Sequence, residues 1–438
     1  MLKNIIYKAT ALSLVALSPY ASFASAYQIF EQDAASLGTY HAGSAAQAND
    51  ASTQWYNPAG MVNLKSQQIS VGGELVNTNI RFTGTQQNVG QMASGNPEPV
   101  NGVNGGGLTP VPNIHYVLPF DRWAFGIGIV APFGAETDYG DSSPLKYSGT
   151  KTQLQVIDIT PAIAFKVNKY LSLGIGADIA YVTGEFDNAF AYVNQSFQPV
   201  DINVKNKGDA FTFGFHTGVL VNFNESNRIG LTYHSKMTAD LKGSTTMSGD
   251  TSGVVLNPQT PYTSGDNFST EIVLPAWWDL AYYIKATSDL ALMASASYTQ
   301  WDSVNNVTLK NVVTPFGTQN FQDVIIQQDF SNTWNFAIGA TYDLTPKWIL
   351  KAGAGYDMTP TNDQYRNIQI PDQSRFILAT GVEYRVLKSL SIALSYAHFF
   401  VQRASIDNTQ NITDTYQTTK GYVQSSADLL GLQLKWII

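Results

Sequence analysis

The segment Leu390-Ser391-Ile392-Ala393-Leu394-Ser395-Tyr396 alternates large apolar side chains with small or hydroxylated ones. A period of two is typical of a β-strand, because successive side chains of a strand point to opposite faces of its sheet. In a soluble sandwich the second face carries many charges, whereas here it carries only serine and alanine. The pattern favours large side chains facing lipid and small ones facing the inside of a barrel.

The same alternation recurs at 123–129 and 171–181, and the apolar faces often end in tyrosine or tryptophan, as in the aromatic girdles of membrane barrels. Six short polar links alternate with seven longer links rich in Gly, Asn and Ser. Short turns at one end and long loops at the other are typical of outer-membrane barrels. We therefore predict an all-β membrane protein, with a 14-stranded antiparallel transmembrane β-barrel over residues 67–438.

Composition narrows the class of protein further. The 438 residues include no cysteine, only 13% charged residues and 12% aromatic residues, and the net charge is −8. A soluble domain has about 25% charged residues, and a nucleic-acid-binding protein needs a basic patch. Beyond the first residues, no uninterrupted apolar run reaches the roughly 20 residues of a membrane-spanning helix. The sequence thus predicts an exported barrel with no nucleic-acid partner.

Motifs of catalysis and of metal binding are missing from the sequence. It has no GxSxG, HExxH or P-loop pattern, and its five histidines are scattered over different predicted elements. We predict that the protein is not an enzyme and has no catalytic residues, no cofactor and no metal site. A Ser–His–Asp set assembled from distant strands, as in outer-membrane hydrolases, stays open as an alternative.

Residues 1–26 have the composition of a secretory signal peptide, with Lys3 and Lys8, an apolar run from about Ala9 to Leu17 and small residues before Tyr27. Cleavage is expected after Ala26. The alternative, a membrane anchor, requires a longer apolar run. The cell outer membrane is the expected location.

Residues 27–66 show no strand period, yet they contain many large apolar side chains. Such a segment is too apolar for a disordered tail, so we predict an N-terminal hatch that plugs the lumen. Within it, Asn57-Pro58-Ala59 predicts a tight turn, since proline fixes φ and restricts the residue before it. Residues 54–60 are expected to face the inner wall near Pro132–Gly134.

Two further features indicate a path for a ligand. Ala131-Pro132-Phe133-Gly134 follows the strand at 123–129 and predicts either the end of that strand or a lateral opening in the wall. The predicted loops 187–208 and 243–268 are more apolar than solvated loops require, which indicates an outer apolar groove or loops packed on themselves. The predicted groove residues are Phe190, Tyr192, Phe197, Val255 and Leu256.

Motifs spread in order along the chain are similar to those of the FadL family of outer-membrane transporters for long-chain fatty acids and hydrocarbons. They are Asn57-Pro58-Ala59, Val111-Pro112-Asn113-Ile114-His115-Tyr116, Phe125-Gly126-Ile127-Gly128 with Pro132-Phe133-Gly134, Asn227-Arg228-Ile229-Gly230-Leu231-Thr232-Tyr233, Leu274-Pro275, Tyr298-Thr299-Gln300-Trp301 and Ile370-Pro371-Asp372-Gln373-Ser374-Arg375-Phe376. The resemblance implies ligand capture in an extracellular groove, transfer to a lumen pocket, hatch rearrangement and lateral exit beside a kink in strand 3. It also aligns Lys310 loosely with a residue that contacts the ligand carboxylate.

The expected function is therefore uptake of long-chain fatty acids. Neutral aromatic or alkane hydrocarbons are the first alternative, and a surface adhesin or receptor barrel is the second. Expected partners are the hydrophobic ligand, outer-membrane lipid with lipopolysaccharide, and the barrel-assembly machinery. The protein is expected to be a monomer.

Overall fold

The fold is given by a computed structural model, which describes residues 26–89, 95–194, 196, 198–250, 264–315, 321–412 and 415–438. The predicted signal peptide falls almost wholly outside these described residues. None of the helices among them is long and apolar enough to cross a membrane.

The strands form one closed antiparallel barrel of 14 strands. Strand β1 (Gln68–Val89) pairs along its whole length with β14 (Thr415–Ile437), from Gln68↔Ile437 to Val89↔Tyr416, and this seam closes the ring. Some of the strands are interrupted once, and for these two ranges are given. The strands between β1 and β14 are β2 (Glu98–Asn104, Leu108–Pro119), β3 (Trp123–Val130, Gly134–Asp138), β4 (Lys151–Ile159, Ala162–Lys166), β5 (Leu171–Val193), β6 (Pro199–Asn222), β7 (Asn227–His234, Met237–Gly249), β8 (Ser264–Leu274, Trp277–Lys285), β9 (Leu290–Thr299, Asn306–Val313), β10 (Phe321–Gln327, Thr333–Asp343), β11 (Trp348–Asp357), β12 (Arg375–Leu387) and β13 (Leu390–Val401, Ala404–Ile412).

The two faces of the wall follow the predicted alternation. In β13, Leu394 and Tyr396 are exposed on the outer face, while Ala393 and Ser395 are buried against the lumen. The outer face of β6 carries Phe213, which is 70% exposed. Small inward residues leave room for a plug, and large outward residues supply the apolar band of a membrane barrel. The predicted fold class is confirmed.

Residues 27–66 fill the lumen as a compact hatch of short helices. These helices span Ser36–Thr39, Ser44–Gln47, Thr53–Tyr56 and Pro58–Asn63. Their side chains are mostly buried, and Trp55 is 1% exposed. The prediction of a lumen plug agrees with this placement.

The extents predicted for two loops are wrong. Strand β5 continues to Val193 and β6 begins at Pro199, so most of 187–208 is strand rather than loop. Likewise, β7 runs to Gly249 and β8 begins at Ser264. The strands extend further because Phe190 and Ile202, a directly opposed pair, turn inward and pack on an apolar cluster.

Candidate functional site

Strand β3 is interrupted within the wall. It pairs with β4 through Val130↔Asp158, stops, and resumes pairing at Gly134↔Gln155. Three residues of β3 thus stand opposite two of β4, which forces a bulge in the wall. Since the strand resumes, the Ala131–Gly134 feature is a break inside β3 and not its end.

The first residues of the hatch satisfy the backbone groups at this break. Gln32 Nε2 donates to the Ala131 carbonyl (2.8 Å), and Gln32 Oε1 accepts from the Ala131 N–H (2.7 Å). The Ile29 N–H donates to the Pro132 carbonyl, and the Gly134 N–H donates to the Tyr27 carbonyl, both at 2.8 Å. The segment Tyr27–Gln32, which we call the latch, therefore acts as a short extra strand against the break.

The wall has a second irregularity beside the break. Strands β2 and β3 pair from Ile114↔Ile129 to Pro119↔Ala124. Beyond this ladder, the Gly134–Asp138 segment pairs with β4, and the Asp138 N–H reaches the Gly105 carbonyl of the β2 hairpin at 2.9 Å. The wall between β2 and β3 therefore loosens at the level of the latch.

The Asn-Pro-Ala turn anchors the hatch at a different place from the predicted one. Asn57 Nδ2 donates to the carbonyls of Ala45 (2.6 Å) and Val219 (3.0 Å), and its Oδ1 accepts from the Ala59 N–H (3.0 Å). The turn sits over Gly174 and Gly218, which oppose each other on β5 and β6. A Cβ at Gly218 would lie 1.9 Å from Asn57 Oδ1, so only glycine admits the turn there.

Residues 54–60 do reach the inner wall near Pro132–Gly134, since Trp55 and Tyr56 share a buried cluster with Val130, but the Asn57 turn itself sits on β5 and β6. Gln54 does reach β3, where it lies against Gly128 below the break, but the break itself is bound by the latch. The latch lacks any strand period in the sequence, because it pairs with only a few residues. Nothing in the local pattern marks it as the partner of a segment about a hundred residues away.

An apolar cluster surrounds the start of the latch. Tyr27 packs edge-on against Trp301, with ring centroids 4.7 Å apart, and lies 6.2 Å from the Phe133 ring. Its hydroxyl donates to the Val273 carbonyl at 2.6 Å. Burial raises the pKa of Tyr27, so the phenol stays neutral. This inner cluster also includes Leu154, Val156, Met237, Ile272, Leu274 and Phe330.

A second apolar cluster, which we call the outer cluster, lies inside the barrel towards its loop end. It consists of Phe190, Ile202, Val204, Met247, Phe268, Leu309, Val312, Val313 and Ile326, with Tyr192 packed against it. Phe186 and Val307 pack against both the inner and the outer cluster. The two clusters thus form one apolar path from the loop end to the latch.

The predicted groove residues are only partly represented among the described residues. Phe190 is buried in the outer cluster and Tyr192 lies at its edge. Phe197, Val255 and Leu256 lie outside the described residues. Lys310 is exposed at a bulge in β9, opposite Ser269, while its neighbour Leu309 belongs to the outer cluster. Lys310 is thus near the cluster in sequence but on the other face of the strand.

A buried charged group close to the hatch was not assigned from the sequence. Arg375 donates to Asp357 Oδ2 from Nε (2.9 Å) and Nη2 (2.7 Å), and Asp372 Oδ1 lies 3.6 Å from Nη2. Burial raises the pKa of the hatch residue Glu31 to about 7, and the Arg375 cation opposes this shift. Arg375 belongs to a motif quoted above, but the sequence alone does not indicate that it faces the hatch.

A closed barrel with a plugged lumen, an apolar path and a latched break in its wall defines a class, the outer-membrane transporters of hydrophobic molecules. The chain belongs to the outer membrane protein transport family (OMPP1/FadL/TodX), whose model matches residues 14–437. Members of this family are outer-membrane transporters and not enzymes.

Individual relatives agree with this assignment. Outer membrane protein P1 of Haemophilus influenzae is 29% identical, over 94% of this chain and 95% of its own. A long-chain fatty acid transport protein of Escherichia coli O6:H1 is 27% identical, over 90% and 92%.

Solved structures share the fold. A Pseudomonas aeruginosa FadL homologue has a TM-score of 0.82 at 24% identity, covering 94% of this chain and 99% of that one. The Pseudomonas putida toluene transporter TodX has a TM-score of 0.68 at 17% identity, covering 94% and 100%.

Proposed function

We propose that this protein takes up long-chain fatty acids across the outer membrane. The observation that carries the proposal is the continuous apolar path through Phe186 and Val307 to the latch. Withdrawing each CH₂ of an acyl chain from water contributes about 0.8 kcal/mol. A long acyl chain therefore gains most from a dry path of this kind and little from a water-filled channel.

Transport would proceed in three steps. The acyl chain enters among the outer cluster residues around Phe190 and moves past Phe186 to the inner cluster around Tyr27. Ligand in the inner cluster competes with the Tyr27 ring for the same contacts, so it favours a hatch conformation in which the latch has left the break. The ligand then leaves sideways at Ala131–Gly134 between β2 and β3, into lipid where its chain remains out of water.

The choice of fatty acids is supported by relatives named as long-chain fatty acid transport proteins. We further propose that Lys310, which lies at the bulge of β9 on the face opposite Leu309, turns over the strand at that bulge and holds the carboxylate while the acyl chain lies in the outer cluster. Neutral hydrocarbons are the second candidate, because the buried cation Arg375 is already paired with Asp357 and Asp372.

Binding and growth measurements separate these proposals. Wild type should bind oleate, and Lys310→Ala should weaken oleate binding several-fold without affecting toluene. Lys388→Ala is the matched control, since Lys388 is also exposed but lies at a turn between β12 and β13. Unchanged oleate affinity in Lys310→Ala would remove Lys310 from the site. The fatty-acid proposal would be rejected if cells took up toluene but not oleate. It would also be rejected if cells with and without the gene grew equally well on oleate.

The proposed function also sets the oligomeric state and the membrane environment that we expect for the protein. We expect a monomer, inserted by the barrel-assembly machinery and surrounded by lipopolysaccharide in the outer leaflet. Cross-linking in whole cells that gives mainly dimers would contradict the monomer.

A further inference from the structure

Three buried side chains that can bind a metal ion lie together in one patch of the lumen wall, and a buried carboxylate lies near them. His216 on β6 stands directly opposite His234 on β7. Asp178 on β5 contacts His216, with Nδ1 and Oδ1 2.6 Å apart. The ligand atoms of these three residues all lie within 4.8 Å of one another. Asp158, on β4, is an electrostatic neighbour of Asp178.

This patch was invisible in the sequence, where the histidines are scattered and no metal site is predicted. The strand register brings the residues together, since Gly176 opposes His216 across β5 and β6. A Cβ at Gly176 would lie 2.1 Å from His216 Cε1, so glycine there leaves space for the imidazole ring.

Two buried polar atoms at this patch have no hydrogen-bond partner. They are His234 Nε2 and Asp158 Oδ1. His234 is 5% exposed and Asp158 is 1% exposed. A buried polar atom without a partner is costly, and each such atom requires an explanation.

The remaining ring nitrogens are oriented by the hatch. His216 Nε2 lies 3.1 Å from the Gln54 carbonyl, and the Trp55 backbone is the partner of the His234 ring. Histidines that bind a metal usually donate their other ring N–H to a backbone carbonyl or a carboxylate, which fixes the tautomer. Here that arrangement leaves His216 Nδ1 and His234 Nε2 turned away from the hatch backbone.

We propose that Asp178, His216 and His234 form a binding site for one zinc-class divalent cation, with the carboxylate of Asp158 near it. Imidazole and carboxylate together suit Zn²⁺, whose bonds to them are about 2.0–2.2 Å long. Ligand atoms around a tetrahedral ion are then about 3.4 Å apart. The His216 and His234 rings are now stacked, with centroids 5.1 Å apart and planes at 14°, so both rings turn out of this stack when their nitrogens point at one ion. The ion takes the place of the proton shared by His216 and Asp178, and the cation supplies a partner for His234 Nε2.

The site also ties the hatch to the wall. The His234 ring stacks on Trp277 (centroids 4.1 Å apart, planes at 10°) and packs against Trp55 at 5.0 Å. An ion that fixes His216 and His234 therefore fixes the acceptors Gln54 and Trp55 of the hatch as well. The paramagnetic ions Co²⁺ and Cu²⁺ in this site would quench the fluorescence of these two tryptophans.

The test measures bound metal in the full chain, refolded in detergent with ZnCl₂ and then dialysed against metal-free buffer. Wild type is expected to retain on the order of one Zn²⁺ per chain. His234→Gln and Asp178→Asn should each lose at least about nine-tenths of it, with the barrel still heat-modifiable on a gel. His398→Gln is the matched control, because His398 forms another His–Asp pair with Asp428 (2.7 Å) on the outer wall.

Two results would overturn the proposal. One is wild type that retains no more Zn²⁺ than His234→Gln. The other is Zn²⁺ lost in His398→Gln but kept in both lumen variants, which would mean an adventitious surface ion only. Co²⁺ gives an independent readout: the ligand-field absorption of a tetrahedral ion and quenched tryptophan fluorescence should both appear in wild type and vanish in His234→Gln.

Discussion

Replacement of Gln32 by alanine should open the latch without damaging the barrel. Gln32 is fully buried, and its amide satisfies both the N–H and the carbonyl of Ala131. Gln32→Ala leaves these two backbone groups without their partners. Each unsatisfied buried group costs about 1–3 kcal/mol, so the latched state should lose at least about 2 kcal/mol relative to the open one.

At about 1.4 kcal/mol per tenfold change, this loss raises the open population about 30-fold. Hydrogen exchange of the Ala131 and Gly134 amides, followed by mass spectrometry in detergent, measures that population directly. Gln47→Ala is the control, because Gln47 is a half-buried hatch residue that lines a polar cavity at the turn end, away from β3. The barrel should remain heat-modifiable in both variants.

An Ala131 amide that exchanges no faster in Gln32→Ala than in wild type would refute this role of Gln32. Equal acceleration at the break in Gln47→Ala would also refute it, because the hatch would then be loosened as a whole and not at the latch.

Three further predictions concern the hatch and the ligand path. Gly218→Ala should displace the Asn57 turn and expose the hatch to protease, since the new Cβ would lie 1.9 Å from Asn57 Oδ1. Gly107→Ala is the control and should have no effect, because the space around its Cβ is open. Equal protease resistance in the two variants would contradict this role of the turn. The closed hatch should lose stability as the pH rises from about 4.5 to about 7, because burial raises the pKa of Glu31 from 4.5 to about 7 and its charged form is disfavoured when closed. Glu31→Gln should remove this loss of stability. Hydrogen exchange of the hatch amides should therefore agree between the variant and wild type at pH 4 and diverge by pH 8. A difference that stays constant over this range would rule Glu31 out as the cause of the pH dependence. Phe186→Ser should reduce oleate uptake by placing a hydroxyl between the two apolar clusters, and Phe211→Ser, on the outer face, should leave uptake unchanged.

The wall of the barrel could be predicted from the sequence because each strand reports its own orientation. The period of two in 390–396 identifies the lipid face without knowledge of any partner, and short polar links mark the turns. The plug was also predictable, since a segment rich in large apolar residues but without a strand period must be buried somewhere.

Contacts between hatch and wall were not predictable in the same way. Gln32 and Ala131 are 99 residues apart, and a single glutamine gives no periodic signal. The Gly174↔Gly218 pair reads as two of many small inward residues, and only the register shows that they adjoin and receive Asn57. His216 and His234 illustrate the same limit, because their opposition depends on which residues pair across β6 and β7.

The seam between β1 and β14 bears on how the hatch reaches the lumen during assembly. The hatch, residues 27–66, precedes the first strand in the chain but lies inside a ring that only the last strand can close. A hatch that folds before this seam forms is enclosed when β14 pairs with β1, whereas a hatch that folds later has to enter through an open end of the barrel. The pairing of the last strand therefore decides by which route the first residues reach the lumen.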